Sequence, residues 1–165
     1  MSFDPTRFRH TMRLWATGVT VVSAQHGPLR RGTTVSSFTS VTLEPPLVLV
    51  CLQKSTETAD VIHNSGAFAV SMLGEGQEAI SNRFAGYGDL PPEVDRFSDM
   101  DVMTAETGAP ILAAAMGWVD CRLHARQDAS THWIFMGQVV AASGQPEHAP
   151  YPLIYYNREY RQIAR

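Results

Sequence analysis

Cysteine is scarce in this chain of 165 residues: Cys51 and Cys121 stand far apart and in no CxxC pattern. Both sit in apolar, strand-like surroundings, so they read as buried free thiols of a reducing compartment, and a disulfide is only weakly indicated. Long apolar runs are missing too. No uninterrupted stretch reaches the roughly 20 residues that a membrane helix needs, and no basic-apolar-small leader opens the chain. The expected location is therefore cytoplasmic, with no membrane partner. Charge of one sign is equally thin: the formal net charge is -3, and the 13 basic residues form no run longer than Arg30-Arg31, which argues against nucleic acid as a partner. GxGxxG, HxH and HExxH are absent, so any dinucleotide would be bound by a design other than a Rossmann turn. What is present is close to an average soluble domain, 44% hydrophobic and 18% charged. That suffices for one complete core and predicts a single domain over residues 1–165.

Asp4 before Pro5, followed by Phe8, Met12 and Trp15 at helical spacing, predicts a short amphipathic helix that stops by Gly18. Thr17 to Ala24 and Gly32 to Leu43 are both rich in strand formers and predict neighbouring strands around a His26-Gly27-Pro28 turn. Leu47 to Leu52, an unbroken apolar run, predicts the central strand, covered on both faces. Ser55 or Thr56 caps a helix ending at Asn64-Ser65-Gly66, Ala67 to Leu73 is a strand, and Gln77 to Phe84 is another short helix. From Tyr87 to Pro110, with Gly88, Pro91-Pro92 and Gly108, an extended loop wraps the body. Met116 to Ala125 and Trp133 to Ala142 form a long hairpin, and a tail past Gln145-Pro146 carries the short strand Leu153 to Tyr156. Six or seven β segments with two or three short helices and no sustained strand-helix alternation predict a mainly β fold, a closed antiparallel Greek-key barrel.

The densest polar signal is Gly32 to Leu43, where seven hydroxyl residues interleave with Val35, Phe38 and Val41. Such a strand offers short donors and acceptors to a planar apolar ring with a polar tail; plain strand propensity accounts for it equally well. Next comes Cys51 to Thr58, where a buried strand emerges into Lys54, two hydroxyls and a helix start. Orphan amides, hydroxyls and one ammonium group suit a phosphate, and an ordinary helix cap beside a solvated lysine is the alternative. His132 in the hairpin is unassigned by pattern alone. A turn centred on Asp128 would set His124 opposite it, with Cys121 nearby as a third metal ligand. Arg158 and Tyr160 could meet a nucleotide by charge and stacking, or form a solvated tail.

Seven motifs in order resemble the flavin reductase family with the FMN-binding split-barrel fold. They are Ala16-Thr-Gly-Val-Thr-Val-Val22, Gly32-Thr-Thr-Val-Ser-Ser-Phe-Thr-Ser40, Leu43-Glu-Pro-Pro-Leu-Val-Leu-Val50, Ser65-Gly-Ala-Phe-Ala-Val70, Arg83-Phe-Ala-Gly86, Asp95-Arg-Phe97 and Pro152-Leu-Ile-Tyr-Tyr-Asn-Arg-Glu-Tyr160. The resemblance implies a reductase that passes hydride from NADH or NADPH to FMN or FAD and supplies reduced flavin to a monooxygenase, as a homodimer. By position it implies that Thr34, Val35, Ser36, Ser37, Phe38 and Thr39 line the isoalloxazine, and that Gln53, Lys54, Ser55, Thr56 and Thr58 hold the phosphate. Phe84 would lie beside the flavin, with Arg158 and Tyr160 near the site. The family's Gly-Asp-His triplet, whose histidine helps to position the nicotinamide, reads Ser130-Thr131-His132 here, which makes His132 the catalytic candidate. No side-chain nucleophile or metal is implied, because the cofactors carry the chemistry. A flavin carrier or sensor without turnover, and a flavoenzyme acting on its own substrate, are the competing readings.

Overall fold

The computed structural model describes residues 3–87, 91, 94–144, 147 and 150–164. Gly88, Pro92, Gln145 and Pro146, assigned above to a loop and a turn, lie outside the described residues.

Helix starts follow capping chemistry. Asp4 accepts the Thr6 N–H at 2.8 Å ahead of α1 (Pro5–Met12), whose proline occupies a position where no amide is needed. β1 (Thr17–Gly18) and β2 (Thr20–His26) follow, and Gly27-Pro28 turns the chain into β3 (Leu29–Val35). The strand expected over Gly32 to Leu43 is two strands: β3 stops at Val35, and β4 (Thr39–Leu43) pairs with β5 (Pro46–Gln53). Thr56 caps α2 (Glu57–Ser65), which ends on Gly66 in the left-handed region at φ 67° and passes into β6 (Ala67–Met72). α3 (Glu78–Ala85) precedes the long loop, which contains β7 (Val102–Met103), paired with β8 (Ile111–Leu112). β9 (Gly117–Ala129) and β10 (His132–Gly144) form the hairpin. The tail is a second hairpin rather than a solvated end, β11 (Ile154–Tyr156) with β12 (Glu159–Arg161).

The fold is mainly β, built on a seven-stranded antiparallel sheet of order β3-β2-β6-β9-β10-β5-β4, with β1-β11-β12 beside it. Two expectations need correction. The barrel does not close by strand pairing: among the described residues β3 and β4 are the two edges of an open sheet. They are consecutive in the chain, and the Ser36 to Phe38 link between them leaves the ladder. Ser37 Oγ instead donates to the Cys51 carbonyl at 2.9 Å and accepts the Cys51 N–H at 3.0 Å, a side chain standing in for a strand. Nor is β5 central. It lies second from the edge, and Leu47, Leu49 and Cys51 on its outer row are only half-buried, whereas β9 takes the middle. A continuous apolar run cannot by itself reveal which face will be covered by this chain.

The core sits between the sheet and α2, where Ala59, Val61 and Ile62 pack with Val22, Val50, Leu52, Phe68 and Phe135. A second cluster joins Phe84 and Phe97 edge to face, centroids 4.8 Å apart, with Val21, Leu73 and Leu153. No described helix is long and apolar enough to cross a membrane.

Candidate active site

The gap bridged by Ser37 is a cavity of about 350 Å³. One wall is the end of β3 and its continuation, Thr33 to Ser37; the other is the end of β5, Cys51 to Gln53, with the α2 cap Thr56 and His132 at the rim. Val35 and Leu52 give it an apolar lining. The side chains of Thr33, Ser36 and Gln53 make no hydrogen bond within the described structure, so their donors and acceptors are available to a ligand. Cys51 is half-buried, and burial pushes its thiol above the ordinary value.

A second cavity of about 270 Å³ adjoins the first, with Thr33 and Thr56 in both walls. Ser55, Thr56 and Thr58 from the α2 start face Arg30 and Arg31 of β3 and Arg96 of the loop. Arg30 pairs with Asp95 at 2.5 Å and Arg31 with Glu57 at 2.7 Å, whereas Arg96 donates to the neutral Phe84 carbonyl at 2.7 Å. Three guanidinium groups against two carboxylates leave an excess of positive charge, beside the unpaired amides of a helix start. The pair supplies what an anionic tail requires.

Lys54 is placed differently from its expected phosphate role. Its Nζ donates to both Asp128 oxygens at 2.7 Å and lies 4.5 Å from the Trp133 ring centroid, and its amide donates to the Thr131 carbonyl at 3.0 Å. The cationic end comes from Arg30, Arg31 and Arg96 instead. Sequence reasoning noted Arg30-Arg31 as the longest basic run without linking it to the site, because the approach of β3 to α2 is a tertiary fact. Phe38 packs against the core, and Thr39, exposed in β4, pairs with Leu49 rather than lining the cavity. Phe84 is fully buried and forms a support: a Cβ on Gly32 would meet its ring at 2.9 Å.

Thr34, Val35, Ser36, Ser37, Gln53, Thr56 and His132 are therefore brought together, with Ser55 and Thr58 in the adjoining cavity. Arg158, at φ 67° in the β11–β12 turn, lines a third cavity of about 490 Å³ with Phe8, Met12, Trp15 and Tyr155. Tyr160 lines a smaller one of about 150 Å³, where its hydroxyl lies 2.7 Å from Asn82 Oδ1 and 2.9 Å from Ser81 Oγ. Ser36 belongs to the first, third and smallest of these spaces, so both tail residues flank the same edge. The β9–β10 turn falls on Ser130 and Thr131. His132 thus faces Ala129, and His124 sits in a bulge of β9, away from His132, which removes the geometry imagined for a metal.

Residues 12–164 match the flavin reductase like domain family. The chain belongs to that family. This flavin reductase relative is 34% identical over 160 residues to the reductase subunit HsaB of a flavin-dependent monooxygenase from Mycobacterium tuberculosis, covering 97% of this chain and 83% of that one. Among solved structures it superposes on the NADH:FAD oxidoreductase SgcE6 of Streptomyces globisporus C-1027 with a TM-score of 0.89 and 36% identity, covering 100% of this chain and 98% of that one. SgcE6 in complex with NAD and FAD fragments gives a TM-score of 0.87 at 34% identity, over 99% and 97% of the two chains.

Proposed function

We propose that this protein is a flavin reductase that takes hydride from NADH or NADPH, reduces FMN or FAD, and delivers the reduced flavin to a monooxygenase. The observation that carries the reading is the open seam between β3 and β5: a cavity lined by Val35, Leu52 and unengaged hydroxyl and amide groups, adjoining a second that is cationic and amide-rich. That donor set fits a planar ring with a phosphorylated tail. Thr34 to Ser37 and Gln53 would hold the ring, while Ser55, Thr56, Thr58 and the arginines would hold the phosphate. When bound, the two cofactors supply hydride donor and acceptor. The chain's own residues orient and shield. Val35 and Leu52 line the cavity with apolar groups, and the hydroxyls of Thr33 and Ser36 offer donors to an electron-rich ring edge, those of Thr34 and Ser37 being given to the Ser81 and Cys51 carbonyls. His132, on the rim, positions the second ring.

The open sheet with its bridged seam supports a split barrel, and the family match over residues 12–164 supports a single domain. A homodimer is supported by apolar surface. β4 is exposed along its whole length, with Leu43 83% exposed, and Trp15 beside the third cavity is 70% exposed. A cytoplasmic location accords with the two free thiols. The deciding experiment is NADH and NADPH oxidation by the purified protein with and without added FMN or FAD; no stimulation by either flavin rejects the assignment.

A further inference from the structure

His132 opens β10 on an exposed rim, where a side chain directs a ligand well only if its neighbours hold it. They do so in two ways. Lys54, at the end of β5, grips the hairpin turn at two points: its amide donates to the Thr131 carbonyl at 3.0 Å, and its ammonium donates to both Asp128 oxygens at 2.7 Å. Asp128 Oδ1 also accepts the Ser130 N–H at 3.0 Å, so one carboxylate joins the turn to the lysine. The turn is thereby fixed to the strand that carries Gln53, the residue paired with His132 across the sheet. Independently, Thr131 Oγ1 lies 2.9 Å from His132 Nδ1. A hydroxyl can give its proton to Nδ1 or accept one from it; when it gives it, the ring carries its proton on Nε2.

We propose that Asp128 and Thr131 are positioning residues for His132: Asp128 anchors the turn through Lys54, and Thr131 gives its hydroxyl proton to Nδ1 and so selects the tautomer that offers Nε2–H to the carboxamide of an incoming nicotinamide. This rests on the reductase reading. Neither residue lines the cavity itself, so their loss acts on nicotinamide capture and leaves flavin binding intact.

The test uses Thr131→Val, which keeps shape and removes the hydroxyl, Thr131→Ser, which restores it, and Asp128→Asn. With FMN saturating, Thr131→Val raises the KM for NADH by about fivefold, the worth of one hydrogen bond. The FMN Kd stays within about twofold, and Thr131→Ser recovers the parent KM. Asp128→Asn moves KM in the same direction. In a His132→Ala background Thr131→Val has no further effect, as a contribution made through His132 requires. Nitrogen-15 spectra of the His132 ring in the flavin-free protein show Nε2–H in the parent and a tautomer mixture in Thr131→Val. An unchanged KM, an equal loss of FMN affinity, or a parent-like ring spectrum in Thr131→Val overturns the proposal. A parent that oxidises no NADH with FMN present overturns the reductase reading together with its nicotinamide clause, while the ring spectrum still decides whether Thr131 sets the tautomer.

Discussion

Cys51 and Cys121 are a built-in probe of the cavity. Cys51 borders it and is half-buried, whereas Cys121 is fully buried and pushed up to about 12, first by burial and then by the neighbouring Asp120 carboxylate. Thiolate is the reactive form, so a maleimide should label Cys51 well before Cys121 in the folded protein, faster as pH rises, and saturating FMN should slow Cys51 labelling. Timed labelling followed by peptide mass analysis reads this directly; equal Cys51 rates with and without FMN would count against the cavity as the flavin site. Gly137 is decided by space. A Cβ there would meet Phe68 Cζ at 2.5 Å and Cys121 Cβ at 2.7 Å, both fixed in the core. Gly137→Ala is expected to cost about 1–3 kcal/mol in urea unfolding, the range for overpacking. A cost under about 0.5 kcal/mol would mean that the ring above it relaxes freely.

At the scale of elements, the β9–β10 hairpin is the informative piece. Ser130 holds φ 62°, a left-handed conformation that costs a non-glycine residue roughly 1–2 kcal/mol. Glycine relieves that strain but brings more freedom to the unfolded chain, so Ser130→Gly should stabilise the protein by about 0.5–1 kcal/mol net in thermal unfolding. The Asp128 carboxyl is held below its ordinary value of 3.8, chiefly by the hydrogen bond from Lys54. A depressed folded value means that the contribution of the pair is present above the unfolded value and fades as pH falls through the folded one. Carbon-13 titration of Asp128 should therefore show a midpoint below 3.8 that returns towards it in Lys54→Met, and that rises with added salt because the pair is exposed. The element starts and stops were legible before the structure: Asp4, Thr56 and Gly66 act on amides and carbonyls within one turn of themselves. The break after Val35 was not, since Thr and Ser suit a strand anywhere, and it took the Cys51 backbone, 14 residues away, to draw Ser37 out of the ladder.

For the whole molecule, the testable consequence is the assembly. If β4 and the outer row of β5 meet a second copy, sedimentation should give twice the chain mass. Leu43→Asp, at a site already 83% exposed, should shift the mass towards one chain without lowering the unfolding midpoint of dilute protein. An undiminished dimer would place the interface elsewhere. Read from residues alone, this chain already determined its mainly β character, its helix caps, its long hairpin and, through seven ordered motifs, its family, because each depends on neighbours within a few positions. The tertiary structure decided which groups share the site. Arg31 meets Glu57 across 26 residues and Lys54 meets Asp128 across 74, so the lysine is drawn to the hairpin and the arginines line the cavity at the α2 start. Charge pairing acts through space over a few ångströms, and no local pattern records which distant strand will arrive within that reach.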